Sequence, residues 1–154
     1  IVYAPVLGWL YAGGEGLGAR KSMIRVTWDE LWAHAQHLPA RLPDAVTVVA
    51  SRSHSTPETE ALIARWEASH GSIQRVSMGS SLKIGLVAEG RAHAYPRAAP
   101  TMEWDTAAGD ALLRAAGGKV VNFETYKPLA YGKVGYENPF FIALSEGVQL
   151  LLND

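Results

Sequence analysis

The sequence contains no cysteine in its 154 residues. This absence excludes a disulfide framework, a thiol nucleophile and any cysteine-containing zinc site. No apolar run approaches the roughly 20 residues that a membrane-spanning helix requires, so we expect no transmembrane segment. Net charge is nearly absent as well, because 14 basic and 15 acidic side chains leave a formal charge of −1. We therefore expect no binding to a nucleic-acid polymer, and an anion would need a local cluster of cations.

The composition that remains is that of an ordinary globular domain, with 48% apolar residues and neither a low-complexity linker nor an internal repeat. We expect residues 1–154 to form a single domain portion. The chain opens with Ile-Val-Tyr-Ala-Pro-Val, which lacks the charged start of a signal peptide and is typical of a β-strand. A core-type strand at residue 1 leads us to expect that part of the domain lies upstream.

The order of apolar patterns and turn residues predicts an α/β fold. Residues 2–11 indicate two paired strands, and the glycine-rich residues 13–18 indicate a hairpin turn, since no amphipathic helix follows as a nucleotide-binding loop would require. From residue 45 onward, short apolar strands alternate with helices, as in layered α/β proteins. One of these helices is capped by residues 55–58 and ends at Gly71.

Two elements have predicted bounds that bear on the later comparison. A helix is predicted from the capping box at Thr27 through Leu38, ending before Pro39. We interpret residues 27–42 as a surface helix, with a partner contact as the alternative. A short strand is predicted at residues 92–95.

A serine-rich run, Gly-Ser-Ser-Leu-Lys at residues 79–83, precedes an apolar helix pattern. Unpaired N–H groups at a helix start attract anions, and Lys83 adds a full positive charge within the first turn. We therefore interpret this run as a phosphate-binding segment. Two alternatives stay open, namely a Ser-x-x-Lys pair in which Lys83 activates Ser80 as a nucleophile, and a plain helix cap.

Two further candidates lie at the ends of predicted elements. His54 follows a buried strand, and ligands of layered α/β folds collect at the carboxyl ends of such strands, although a turn residue ahead of a capped helix is the alternative. Asp105 lies in Trp-Asp-Thr-Ala-Ala-Gly at residues 104–109, at the start of an alanine-rich helix, where it is either a cap or a ligand. The small residues that follow Asp105 would let another backbone approach this helix closely.

These motifs, taken in order, resemble the inositol monophosphatase superfamily. The Trp-Asp-x-Ala-Ala-Gly motif is specific to the superfamily, whereas Gly-Ser-Ser-Leu-Lys at 79–83 and Tyr-Pro-Arg at 95–97 narrow the resemblance to its bacterial 3′(2′),5′-bisphosphate nucleotidase branch. Residues 2–6, 51–54 and 127–129 also look like that branch, so the resemblance covers nearly the whole chain.

The resemblance implies the C-terminal part of a layered α/β/α/β/α fold. It also implies a magnesium-dependent, typically lithium-sensitive phosphatase that removes the 3′-phosphate of adenosine 3′,5′-bisphosphate. In that family the aspartate matching Asp105 binds a metal and helps to position the phosphate, and the residues matching His54, Ser80, Lys83 and Arg97 contact the nucleotide and its second phosphate. The residue types agree, because Mg²⁺ prefers hard carboxylate ligands and a second phosphate calls for additional cations.

The superfamily's other metal ligands come from an upstream glutamate and an Asp-Pro-x-Asp-Gly-Thr motif, and neither motif occurs in these 154 residues. Asp105 alone cannot hold a catalytic metal cluster, so we expect the chain by itself to be inactive. Two other functions stay open: an inositol or sugar monophosphate phosphatase of the same superfamily, and a non-catalytic half-domain that acts with a separate N-terminal chain. We expect a cytoplasmic protein, with inner-membrane association on the cytoplasmic side and a homodimer left open.

Overall fold

A computed structural model of the chain describes residues 1–24, 27–50 and 55–148. The first part of the chain forms an antiparallel sheet in which four strands are neighbours in chain order. These strands are β1 (Val2–Ala4), β2 (Trp9–Gly14), β3 (Gly18–Met23) and β4 (Gln36–Leu38), with the short helix α1 (Trp28–Ala33) between β3 and β4.

The predicted strand pair and hairpin at the start of the chain are confirmed. β1 pairs with β2 and β2 pairs with β3, both antiparallel. Gly16 and Gly18 have φ of 73° and 69°, and this left-handed backbone conformation is one that glycine adopts at little cost. The glycine-rich run therefore turns the chain between two strands.

The predicted helix through Leu38 is correct at its start and wrong at its end. Thr27 accepts the N–H of Glu30 as predicted for the cap, but the helix stops at Ala33. Leu38 lies in β4 instead and is paired with Ala19 of β3. The pairing with a distant strand overrides the local helical pattern, so residues 27–42 are not one surface helix.

The second part of the chain builds a five-stranded sheet with the order β6-β5-β7-β11-β9, in which β5 is parallel to both neighbours and β11 is antiparallel to both. A separate pair of short strands joins β8 to β10. The strands are β5 (Thr47–Val49), β6 (Gln74–Val76), β7 (Ala94–Arg97), β8 (Thr101–Met102), β9 (Lys119–Asn122), β10 (Glu137–Asn138) and β11 (Phe141–Leu144).

Three helices complete this part: α2 (Pro57–His70), α3 (Leu82–Ala88) and α4 (Glu103–Ala115). The predicted bounds of α2 are confirmed, since Thr56 caps its start and Gly71, with φ of 80°, ends it. No helix in the described ranges is long and apolar enough to span a membrane.

The layers follow from the two faces of the buried strands. In β5, Val48 faces the α2 side with Ile63 and Trp66, while Val49 faces the opposite side with residues of α3 and α4. Helices α3 and α4 also contact the antiparallel sheet, so they lie between the two sheets. The order sheet, helices, sheet, helix matches four successive layers of the predicted α/β/α/β/α fold.

Helices α3 and α4 approach each other at a glycine. A Cβ atom placed on Gly109 would lie 3.1 Å from the Ile84 side chain. The small residues at 104–109 therefore do admit a close neighbour, but the group that approaches is the side chain of Ile84 in α3 and not another backbone as predicted.

A buried charged cluster ties the antiparallel sheet to the end of α3. Glu89 accepts hydrogen bonds from the Tyr11 hydroxyl at 2.5 Å and from Lys21 Nζ at 2.9 Å, and Nζ lies 3.5 Å from the centre of the Trp9 ring. Burial raises the pKa of Tyr11, so the phenol stays protonated and donates to Glu89. The cluster is satisfied only while all three polar groups are present.

We predict that Glu89→Ala lowers the free energy of unfolding by about 3 kcal/mol, because it leaves a buried ammonium without a counter-ion. The measurement is urea unfolding of the chain followed by circular dichroism. Asp44→Ala is the control, since its ion pair with Arg41 is 2.7 Å long but almost fully exposed, and it should change stability by less than about 1 kcal/mol. Equal losses in the two variants would contradict the prediction.

Candidate functional site

A cleft of about 260 Å³ opens where α3, β7 and α4 meet. It is lined by four of the five predicted site residues: Ser80, Lys83, Arg97 and Asp105. The fifth, His54, lies outside the described residues. The fold therefore brings together residues that are far apart in the sequence, and it does so at the starts of two helices that pack on each other.

Strand register places the cleft's arginine and an adjacent aromatic residue. β7 lies two residues later than the predicted 92–95, from Ala94 to Arg97, because its pairing with β11 runs from Ala94 with Leu144 to Arg97 with Phe141. Side chains two residues apart on a strand share a face, so Tyr95 and Arg97 point to the same side of the sheet. Both line the cleft, together with Phe141.

The two cations of the cleft have no carboxylate partner within ion-pair distance among the described residues. Lys83 is only 9% exposed, and burial together with the neighbouring charge of Arg97 lowers its pKa. The Arg97 Nε atom is buried without a hydrogen-bond partner. Buried positive charges without compensation are costly, and an anion in the cleft would offset that cost.

The run around Ser80 supports only part of the phosphate-binding interpretation. The amides of Lys83 and Ile84 are not free, since they donate to the carbonyls of Ser80 and Ser81. An anion here would therefore rely on Lys83 and on the hydroxyls more than on those amides. Both alternatives lose support in the described part of the chain: no hydrogen bond links the side chains of Ser80 and Lys83, and Ser81 makes no side-chain cap bond.

Asp105 is the third residue of α4 and both reaches the cleft and caps the helix. Its Oδ2 atom accepts the N–H of Met102 at 2.8 Å, which satisfies an amide at the helix start. Among the described residues Oδ1 has no hydrogen-bond partner, and Asp105 is the only carboxylate that lines the cleft. The cap and ligand interpretations are therefore compatible, because each can use one oxygen.

The donor set of the described residues does not form a magnesium site. A Mg²⁺ ion needs several hard oxygen ligands, and within residues 1–24, 27–50 and 55–148 no group of three acidic or histidine side chains could hold a metal. The two cations beside this single carboxylate would also repel a metal ion that is bound without an anion. Asp105 fits as one ligand, not as a complete site.

A polar network behind Asp105 has no signal in the sequence. Glu103 is buried and accepts from the amides of Gly132 and Lys133 and from Lys133 Nζ at 2.6 Å. Asn138, also buried, donates to the Met102 carbonyl and to Thr106 Oγ1. These bonds fix the start of α4 to a loop that follows it by about thirty residues, and the partners can be identified only from the fold.

The two sheets and the helices packed on them define a layered α/β protein with a cleft at the starts of α3 and α4. A model of the inositol monophosphatase family matches residues 1–143. The chain belongs to this family.

Relatives with known names and structures agree with this assignment. The chain is 39% identical to the 3′(2′),5′-bisphosphate nucleotidase CysQ of Escherichia coli K12 over 142 residues, which cover 92% of this chain and 52% of that protein. It superimposes on the crystal structure of CysQ from Bacteroides thetaiotaomicron with a TM-score of 0.85 and 46% identity, covering 94% of this chain and 56% of that one.

A more distant structure supports the fold alone. Inositol monophosphatase II of Staphylococcus aureus aligns with a TM-score of 0.67 and 21% identity over 95% of this chain and 50% of its own. The chain spans about half the length of the curated relatives that it matches.

The Glu103 network predicts how stability depends on pH. The hydrogen bond from Lys133 Nζ and the two amides lower the pKa of Glu103 from 4.5 to about 2. Between pH 4.5 and 2 the unfolded chain takes up a proton at this residue while the folded chain does not, so the free energy of unfolding falls as the pH falls. We expect Glu103→Gln to flatten this dependence in urea unfolding measured at several pH values.

Glu58→Gln is the control for this measurement, because Glu58 is an exposed glutamate on α2 and should leave the slope unchanged. An unaltered slope in Glu103→Gln would show that Lys133 does not hold the ionised carboxylate.

Proposed function

We propose that this chain belongs to a magnesium-dependent phosphatase that removes the 3′-phosphate of adenosine 3′,5′-bisphosphate, and that its own residues recognise the two phosphates. The observation that carries the proposal is the pair Lys83 and Arg97. Both line one cleft with Asp105, and neither has a carboxylate partner among the described residues. A doubly charged anion is the ligand that such a pair fits.

Two phosphates account for this site better than one. A phosphate that does not react can be held by Lys83, Arg97 and the Ser80 hydroxyl, and its binding energy then positions the phosphate that does react. The names of the relatives support the same substrate, since the Escherichia coli protein at 39% identity is a bisphosphate nucleotidase. We propose His54 as a further contact to the nucleotide.

Asp105 would supply one ligand to Mg²⁺ through Oδ1, with Oδ2 kept on the helix start. When bound, the metal would activate water and neutralise charge on the phosphoryl oxygens. The remaining ligands are not among the described residues. Residues 1–154 alone should therefore bind the substrate without hydrolysing it.

A second candidate, a non-catalytic binding half-domain, is favoured by one observation: the cleft offers two cations and a single carboxylate. The two candidates differ in one measurement, which is phosphate release from adenosine 3′,5′-bisphosphate by the intact protein with magnesium. Release supports the phosphatase, and binding without release supports the half-domain.

The cation pair predicts substrate preference. Charge-assisted hydrogen bonds are worth roughly 1.5–3 kcal/mol, or about 10- to 150-fold. Lys83→Ala and Arg97→Ala in the intact protein should each lower kcat/KM for adenosine 3′,5′-bisphosphate by that factor. Hydrolysis of inositol monophosphate should change much less, since it offers no second phosphate.

Steady-state kinetics on both substrates measures this preference. Equal losses on the two substrates would indicate a general structural role for the cations. A wild type that prefers inositol monophosphate would favour the inositol monophosphate phosphatase instead.

We predict that Asp105→Asn lowers turnover and leaves the fold intact. The amide oxygen can still accept the Met102 N–H, but the negative charge that a divalent metal requires is gone. We expect kcat to fall on the order of 10³-fold, a few kcal/mol of transition-state stabilisation, with an unchanged melting temperature. Near-normal turnover at saturating magnesium would leave Asp105 as a helix cap only.

A further inference from the structure

Three lysines of the described residues lie over an aromatic ring, and only one of them lacks a carboxylate. Lys21 lies over Trp9 and is bonded to Glu89, and Lys133 lies over Tyr131 and is bonded to Glu103. Lys83 has its Nζ atom 5.5 Å from the centre of the Tyr95 ring, and within the described chain no carboxylate lies within ion-pair distance of it. The aromatic ring is therefore the compensating group that Lys83 has.

Tyr95 is held firmly enough to serve this purpose. It lies in β7, is 7% exposed and meets Phe141 edge to face, with ring centres 5.7 Å apart and an interplanar angle of 86°. Its backbone is fixed by pairing with Ala143 of β11. The ring also lines the cleft, on the same strand as Arg97.

We propose that Tyr95 is a positioning residue for phosphate recognition, whose ring holds the Lys83 ammonium in the cleft while leaving its N–H donors free for the ligand. A carboxylate in the same place would occupy those donors and would repel a phosphate. The negative face of an aromatic ring attracts a cation without accepting strong hydrogen bonds from it. This inference rests on the proposed function, since it assumes that the cleft binds a phosphorylated ligand.

A double-mutant cycle in the intact protein tests the coupling. Calorimetric binding of adenosine 3′,5′-bisphosphate, in EDTA so that no hydrolysis occurs, is compared for wild type, Tyr95→Leu, Lys83→Ala and the double variant. A desolvated cation–ring contact predicts about 10-fold weaker binding in Tyr95→Leu. In the Lys83→Ala background the same change should weaken binding several-fold less than it does in the wild type, because only the contact of Tyr95 with Arg97 is then left to lose.

Two further variants separate positioning from a structural effect. Tyr95→Phe keeps the ring and removes only the hydroxyl, which is hydrogen-bonded to Arg97, so it should bind clearly more tightly than Tyr95→Leu. Ile63→Val removes a methyl group from the core on the α2 side of the sheet, so it lowers stability without reaching the cleft and should bind normally. An equal loss from Tyr95→Leu with and without Lys83, or a full loss in Tyr95→Phe, overturns the inference.

The same cycle is run with inorganic pyrophosphate, which carries charge but no nucleoside. If the wild type binds pyrophosphate and not the nucleotide, the proposed substrate is wrong, and the pyrophosphate cycle still decides the role of Tyr95. Binding of neither probe overturns both proposals.

Discussion

The contact between α3 and α4 is the constraint on which the cleft depends. Both helices are confined between two sheets, and Gly109 lets α4 approach Ile84 of α3 so closely that a Cβ atom would lie at 3.1 Å. Because Lys83 and Asp105 belong to the first turns of these helices, the helix contact sets the distance between them. Protein interiors are close-packed, so a change of volume at this contact moves one helix start relative to the other.

The charges of the described chain follow two different arrangements. Away from the cleft, two partly buried lysines are paired with carboxylates: Lys21 with Glu89, and Lys133 with Glu103, at 2.9 and 2.6 Å. In the cleft, Lys83 and Arg97 are brought together and share no carboxylate within the described residues. The first arrangement stabilises the fold. The second leaves positive charge that is not compensated, and a bound anion can compensate it.

The sequence predicts the bounds of an element well where those bounds are set by interactions between residues close together in the chain. Thr56 and Gly71 bound α2 because a cap and a left-handed glycine act within a few residues. The helical periodicity up to Leu38 predicts a helix there, but pairing with Ala19 places Leu38 in a strand. Arg97 was placed after a strand and proved to be its last residue, since Phe141 pairs with it.

Some residues of the site can likewise be predicted from the sequence, and others cannot. Residue type and motif order predicted Ser80, Lys83, Arg97 and Asp105, and the fold brings these four into one cleft. The groups that hold them in place could not be predicted: the partners of Glu103 lie about thirty residues away, and Tyr95 reaches Lys83 only because β7 and α3 are packed together. The residues that line the cleft leave a local signature in the sequence, whereas the residues that hold them in place depend on tertiary contacts.

Binding an anion and hydrolysing a phosphate ester with a metal require different groups in a site. Lys83, Arg97 and Tyr95 are fixed by β7, β11 and α3, which all lie in a core that the described residues build themselves. The geometry for binding an anion is thus internal to the chain. Metal-assisted hydrolysis needs several hard ligands around one point, and the cleft presents the single carboxylate of Asp105. The described residues consequently meet the geometric requirement for anion binding more completely than the requirement for metal-assisted hydrolysis.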